Sequence, residues 1–170
     1  MKALKLSFVS LAFSVFLPAC GDDDSDSGPS FDFIDQDLQG SIDGISFTSK
    51  GGFFDEGFDE GTISIRLYDV SEEGDICEIF GNESVSASAI LPDEIGIHEL
   101  FFDISSFSGI VVNLVNPNGE DGIPQNNLAF IGAVEILSIS ETQITGRMDA
   151  TLDSDNTVNG NFTVISCDAN

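Results

Sequence analysis

Four carboxylates fall within six residues in the tandem Phe54-Asp55-Glu56-Gly57 and Phe58-Asp59-Glu60-Gly61, directly after Gly51-Gly52-Phe53. Calcium takes about six to eight oxygen ligands, and flexible glycines let a loop wrap an ion. Asp55, Glu56, Asp59 and Glu60 are therefore the candidate metal ligands, although their spacing is not that of an EF-hand loop, and an ordinary solvated turn is the competing reading. Asp153 with Asp155, and Asn116, Asn118, Glu120 and Asp121 ahead of Pro124, are weaker acidic loops of the same kind. No cofactor other than calcium is expected. The phenylalanines of the tandem, Phe53, Phe54 and Phe58, read as a plug over an open end of the fold, with an exposed protein interface as the alternative. Phe101 and Phe102 read as core.

Other chemistries lack their parts. A serine nucleophile needs a histidine base and an orienting carboxylate, and His98 is the only histidine, with no Gly-x-Ser-x-Gly elbow in the chain. In Ile97-His98-Glu99-Leu100 it reads as a strand histidine satisfied by a neighbour. Glycine-rich phosphate loops are missing. Carboxylate pairs for glycoside hydrolysis can always be drawn from 30 acids, but the chain has no Trp and a single Tyr, Tyr68, to hold a sugar face. A carboxylate-dependent hydrolase stays as the enzyme alternative, and a protein without catalysis is the main expectation.

Net charge sharpens the choice of partners. The chain carries −25, with only Lys2, Lys5, Lys50, Arg66 and Arg147 as cations. No basic patch exists to neutralise phosphates, so nucleic acid is excluded as a partner. Cations, basic proteins or neutral ligands fit such a field better.

The first 20 residues explain where the protein goes. Lys2 and Lys5 form a positive start, Leu6 to Leu17 form an apolar run, and Leu17-Pro18-Ala19-Cys20 closes it before Gly21-Asp22-Asp23-Asp24. This pattern resembles the lipobox of bacterial lipoproteins. The resemblance implies cleavage after residue 19 and diacylation of Cys20, which then holds the protein on a membrane. A spanning helix would need about 20 apolar residues, and the run is shorter than that. Loss of residues 1–19 leaves three cations against 30 acids, or −27. Residues 20–39 are rich in Asp, Ser, Gly and Pro and read as a disordered acidic tether. Gly21-Asp22-Asp23-Asp24 resembles the surface-export signal of Bacteroidota lipoproteins, with a plain spacer as the alternative. Gly21 beside the cysteine is also compatible with outer-membrane delivery. The expected location is the cell envelope, on the periplasmic face or the cell surface.

Residues 40–170 have the length of one domain and a β texture throughout. Thr62-Ile63-Ser64-Ile65-Arg66-Leu67 alternates polar with apolar, as does the run from Ser84 to Leu91, so each strand has one face to bury. The more continuously apolar stretches Ile110–Val115 and Leu128–Ile139 predict central strands covered on both faces. Ile144, Gly146, Met148, Ala150 and Leu152 share one side of a strand, and the turn 153–157 joins it to Val158–Val164 as the clearest hairpin. About eight short strands predict an antiparallel β-sandwich or flattened barrel. In an oxidising compartment Cys77 and Cys167 pair naturally, closing a separation of 90 residues and contributing roughly 4 to 5 kcal/mol by loop entropy. Two distant thiols and one histidine do not make a zinc site.

Ile144-Thr145-Gly146 followed by Val158-Asn159-Gly160-Asn161-Phe162-Thr163-Val164 and a cysteine resembles the closing hairpin of small Bacteroidota lipoproteins of unknown function. Those share a lipobox, an acidic tether, an early turn such as Ile42-Asp43-Gly44 and an all-β body. The resemblance implies architecture and location and brings no site residues. The sequence thus points to a lipid-anchored envelope lipoprotein acting as a binding or structural module, with calcium-dependent adhesion or ligand binding as the alternative. Its partners are the membrane through Cys20 and an envelope protein or neutral ligand.

Overall fold

Alternation at a period of two residues decides the architecture. A computed structural model describes residues 30–69, 76–78 and 84–167. Cys20, the leader and the tether up to residue 29 lie outside the described residues. The strands are β1 (Gln39–Ile42), β2 (Ile45–Thr48), β3 (Gly51–Glu56), β4 (Thr62–Tyr68), β5 (Ser86–Pro92), β6 (Gly96–Glu99), β7 (Phe101–Asp103), β8 (Ser108–Ile110), β9 (Val112–Asn116), β10 (Gln125–Ala129), β11 (Ile131–Ile139), β12 (Gln143–Asp153) and β13 (Asn156–Ser166). The only helical pieces among the described residues are the 3-10 turns Ile76–Glu78 and Glu120–Gly122, and no described helix is long and apolar enough to cross a membrane.

One large sheet runs β10-β9-β5-β4-β3-β13-β12-β11-β6, with β1 beside β13 and β2 beside β1, while β7 and β8 form a separate hairpin. Every named pairing is antiparallel except β13 with β3, where Ile165 and Ser166 lie opposite Phe53 and Phe54. The sheet curls so that one face closes on itself. Ile63, Ile65, Leu67, Ala87, Leu91 and Leu114 from one half share a single apolar cluster with Val134, Ile136, Ile144, Met148 and Val164 from the other. An all-β sandwich or half-barrel is the result. Right-handed twist accumulated over nine neighbouring strands is what brings the two halves face to face.

The expected closing hairpin is present, with ten register pairs between β12 and β13 and a bulge after Thr151. The two continuously apolar stretches differ from expectation. β9 alternates buried and half-buried positions instead of hiding both faces. Residues 128–139 break at Phe130 into β10, an edge strand, and β11, next to the other edge. Leu128, Phe130, Ile131 and Leu137 stay substantially exposed as a result.

The body also begins before Gly40, with a compact unit running from Phe31. Residues 31–38 lie as a strap against β13. Asn159 Nδ2 donates to the Asp32 carbonyl at 2.8 Å and its Oδ1 accepts from Ile34 N–H at 2.8 Å. Asn161 N–H donates to the Gln36 carbonyl at 2.7 Å, and Leu38 N–H to the Asn161 carbonyl at 2.9 Å. Leu38 itself is fully buried in the core. Gly160 makes this crossing possible: its φ is +139°, and a Cβ there would meet the Asp37 carbonyl oxygen at 2.7 Å.

Candidate ligand-binding site

The face of the sheet opposite the core carries an ordered array in its β3 to β10 half. Because Ile63, Ile65 and Leu67 of β4 face the core, Ser64, Arg66 and Tyr68 must project outward. Register then aligns three rows. Gly51, Tyr68, Ser86, Val115 and Asn126 form the first; Phe53, Arg66, Ser88, Asn113 and Leu128 the second; Asp55, Ser64 and Ile90 the third. The small serines form the floor, and larger neighbours stand around them. Phe58 from the β3–β4 turn, Gly109 of β8 and Val111 complete a groove of about 430 Å³. That size falls within the roughly 300–1,000 Å³ of small-molecule sites.

Arg66 is the only charged side chain among the described residues lining this groove. Its guanidinium lies 5.5 Å from the centroid of the Phe53 ring, and Phe53 stacks on Tyr68 at 6.0 Å. Burial pushes the Tyr68 pKa up, and the nearby Arg66 charge partly opposes that rise. Among the described residues no carboxylate forms an ion pair with Arg66, whereas Arg147 is paired with Glu135. Asn113 Nδ2 donates to Asn126 Oδ1 at 3.2 Å, yet Asn113 Oδ1 is buried without a partner. Such an acceptor is costly to leave unmet. Ser64, Ser86 and Ser88 make no side-chain hydrogen bond among the described residues. The arrangement offers one cation, several hydroxyls and two amides, and the described lining residues include no His, Cys or carboxylate to serve as a general base.

No family model, curated protein or solved structure matches this chain. The site must therefore be read from its own geometry.

The acidic tandem is not gathered into a site. Asp55 and Glu56 are consecutive residues of β3, so their side chains leave opposite faces of the sheet. Asp59 and Glu60 lie exposed in the following turn, where the Asp59 carbonyl accepts from the Thr62 hydroxyl at 2.7 Å. Among the described residues no group of three or more His, Cys, Asp or Glu is placed to hold a metal ion. The other acidic loops are wired as turns: Asp153 Oδ1 accepts from Asp155 N–H and Asn156 Nδ2, and Asn116 Oδ1 accepts from Asn118 N–H.

Cys77 and Cys167 are joined, with sulfurs 2.13 Å apart and Cα atoms 5.5 Å apart. His98 is buried on β6, its Nε2 3.1 Å from the Glu94 carbonyl oxygen. Of the tandem's phenylalanines, Phe53 is buried on the outer face and Phe54 packs against the core, but Phe58 is 90% exposed at the groove rim. Phe101 and Phe102, expected in the core, are half exposed. They sit on the β7–β8 pair, which is not hydrogen-bonded into the main sheet.

The groove residues themselves were missed as a site. Their signal lay in the polar phase of β4 and β5, where Ser64, Arg66, Ser86 and Ser88 recur at every second position. Alternation was read for what it buries and not for what it displays.

Proposed function

We propose that this protein is a lipoprotein of the bacterial cell envelope, anchored at the outer membrane through acylated Cys20, and that it acts as a non-catalytic binding module. The seat of its ligand is the groove over β4, β5 and β9. The observation that carries this reading is the pairing of a 430 Å³ groove of mixed polarity with an arginine that forms no ion pair with a described carboxylate. The Cys77–Cys167 pair at bonding distance supports an oxidising compartment, and the residues around Cys20 supply the anchor.

The test is a small-molecule library screen on the full-length chain, purified in detergent and read by ligand-observed NMR. A Ser88→Trp variant, whose indole fills the floor, serves as control. Hits that bind the wild type and are lost in the variant, with melting temperature unchanged, support the groove. Hits that persist in the variant, or none at all, would refute it.

A further inference from the structure

The groove's own chemistry narrows its ligand, on the reading that it is a ligand seat. In a chain with 30 acids and five bases, an arginine beside a cavity would ordinarily be claimed by a carboxylate. Arg147 is so claimed, by Glu135 directly opposite it on β11. Arg66 instead rests over the Phe53 ring, itself stacked on Tyr68, and forms no ion pair with a described carboxylate. A guanidinium held in this way is preorganised for bidentate recognition of a carboxylate.

A bare carboxylate would not complete the site. The Ser64, Ser86 and Ser88 hydroxyls and the Asn113 and Asn126 amides also line the groove, and an ionised carboxylate can only accept from such groups. The serine hydroxyls of the floor give and accept, as do the hydroxyls of a polyol. At the rim, exposed Phe58 and Ile90 provide apolar surface for the C–H face of a ring or short chain.

We infer that the groove binds a small hydroxylated carboxylate, a sugar acid or hydroxy acid, with its carboxylate on Arg66 and its hydroxyls among Ser86, Ser88 and the Asn113 amide. This differs from the neutral ligand that net charge alone favours. A single arginine against a fixed ring acts at contact distance, whereas the field of the acidic surface is screened over about 8 to 10 Å in physiological salt.

The experiment is titration calorimetry on the full-length chain in detergent with three probes: glucuronate, its uncharged methyl ester, and glucose. Wild-type protein should bind glucuronate about ten- to hundredfold more tightly than the ester or glucose, the span expected for losing hydrogen bonds to a charged partner. Arg66→Gln should bring glucuronate down to the affinity of the ester, and Asn113→Leu should weaken all three probes. The acid and ester comparison needs no variant, so a folding defect in either substitution leaves it intact. Equal affinity for acid and ester would overturn the inference, as would no binding of glucuronate to the wild type. In both cases the ligand-seat reading stands or falls separately, on whether library hits that bind the wild type are lost in Ser88→Trp.

Discussion

The guanidinium of Arg147 lies 4.5 Å from the centroid of the Phe33 ring, so a residue from the start of the folded body covers the cross-strand pair that Arg147 makes with Glu135. The strap is thereby fixed by an aromatic contact as well as by its bonds to Asn159 and Asn161. Phe33→Ala should destabilise the protein by about 1 to 2 kcal/mol, the sum of a partly desolvated cation–π contact and lost apolar burial. Urea unfolding measures it, and a change below a few tenths would mean that the strap contributes nothing to the body.

The strap also sets a pH dependence. Asp149 on β12 has its pKa raised, chiefly by burial and further by the Asp32 charge, against hydrogen bonds from Asp32 N–H and the Asn159 side chain. A raised carboxylate binds its proton more tightly in the native state. Its stabilising contribution is therefore complete below the unfolded pKa of 3.8 and is lost as pH rises through the higher native value. Asp149→Asn should accordingly raise the melting temperature at pH 7 and give no gain near pH 3. A variant less stable at pH 7 would show that the hydrogen bonds outweigh the charge.

Asp103 behaves in the opposite sense. Its carboxylate accepts from Ser105 Oγ at 2.7 Å, from Ser105 N–H at 2.8 Å and from Ser106 Oγ at 2.8 Å, which lowers its pKa to about 2. These bonds order the turn of the β7–β8 hairpin at every pH above that value. NMR titration should find Asp103 ionised at pH 3 while ordinary aspartates are half or more protonated; a value near 3.8 would mean that the turn is open in solution.

Removing the disulfide is expected to cost the most. Cys77 and Cys167 are separated by 90 residues, and loop entropy at that length is worth roughly 4 to 5 kcal/mol. A Cys77→Ala, Cys167→Ala double variant should lose most of that in guanidinium unfolding. A loss under about 1 kcal/mol would place the constraint elsewhere.

Calcium at millimolar concentration should leave the melting temperature where magnesium leaves it, because Asp55 and Glu56 depart from opposite sheet faces. A calcium-selective rise of several degrees would mean that the acidic turn closes on an ion in solution.

How much of this was legible in the sequence depends on how far each signal reaches. The β12–β13 hairpin was readable because Asp153 to Asn156 announces its turn and Ile144, Met148 and Ala150 keep one phase to its end. Phe101 and Phe102 misled, since apolar type says what a residue would gain from burial and not whether a second layer is available. The strap went unread because its acids resemble a tether, although Phe31, Phe33 and Leu38 stand among them. The groove went unread because three strands must align before Arg66, Ser88 and Asn113 share a row, and register between strands is not a local property.

The strap determines how the body takes mechanical load. Any pull from the N-terminal side of the chain enters at Phe31 and is passed by Asn159 and Asn161 into β13, an interior strand bordered by β12 on one side and by β1 and β3 on the other. Tension applied there meets an interior strand held by the ten-pair β12–β13 ladder, so the sheet is gripped from its middle and not at its edges β6 and β10.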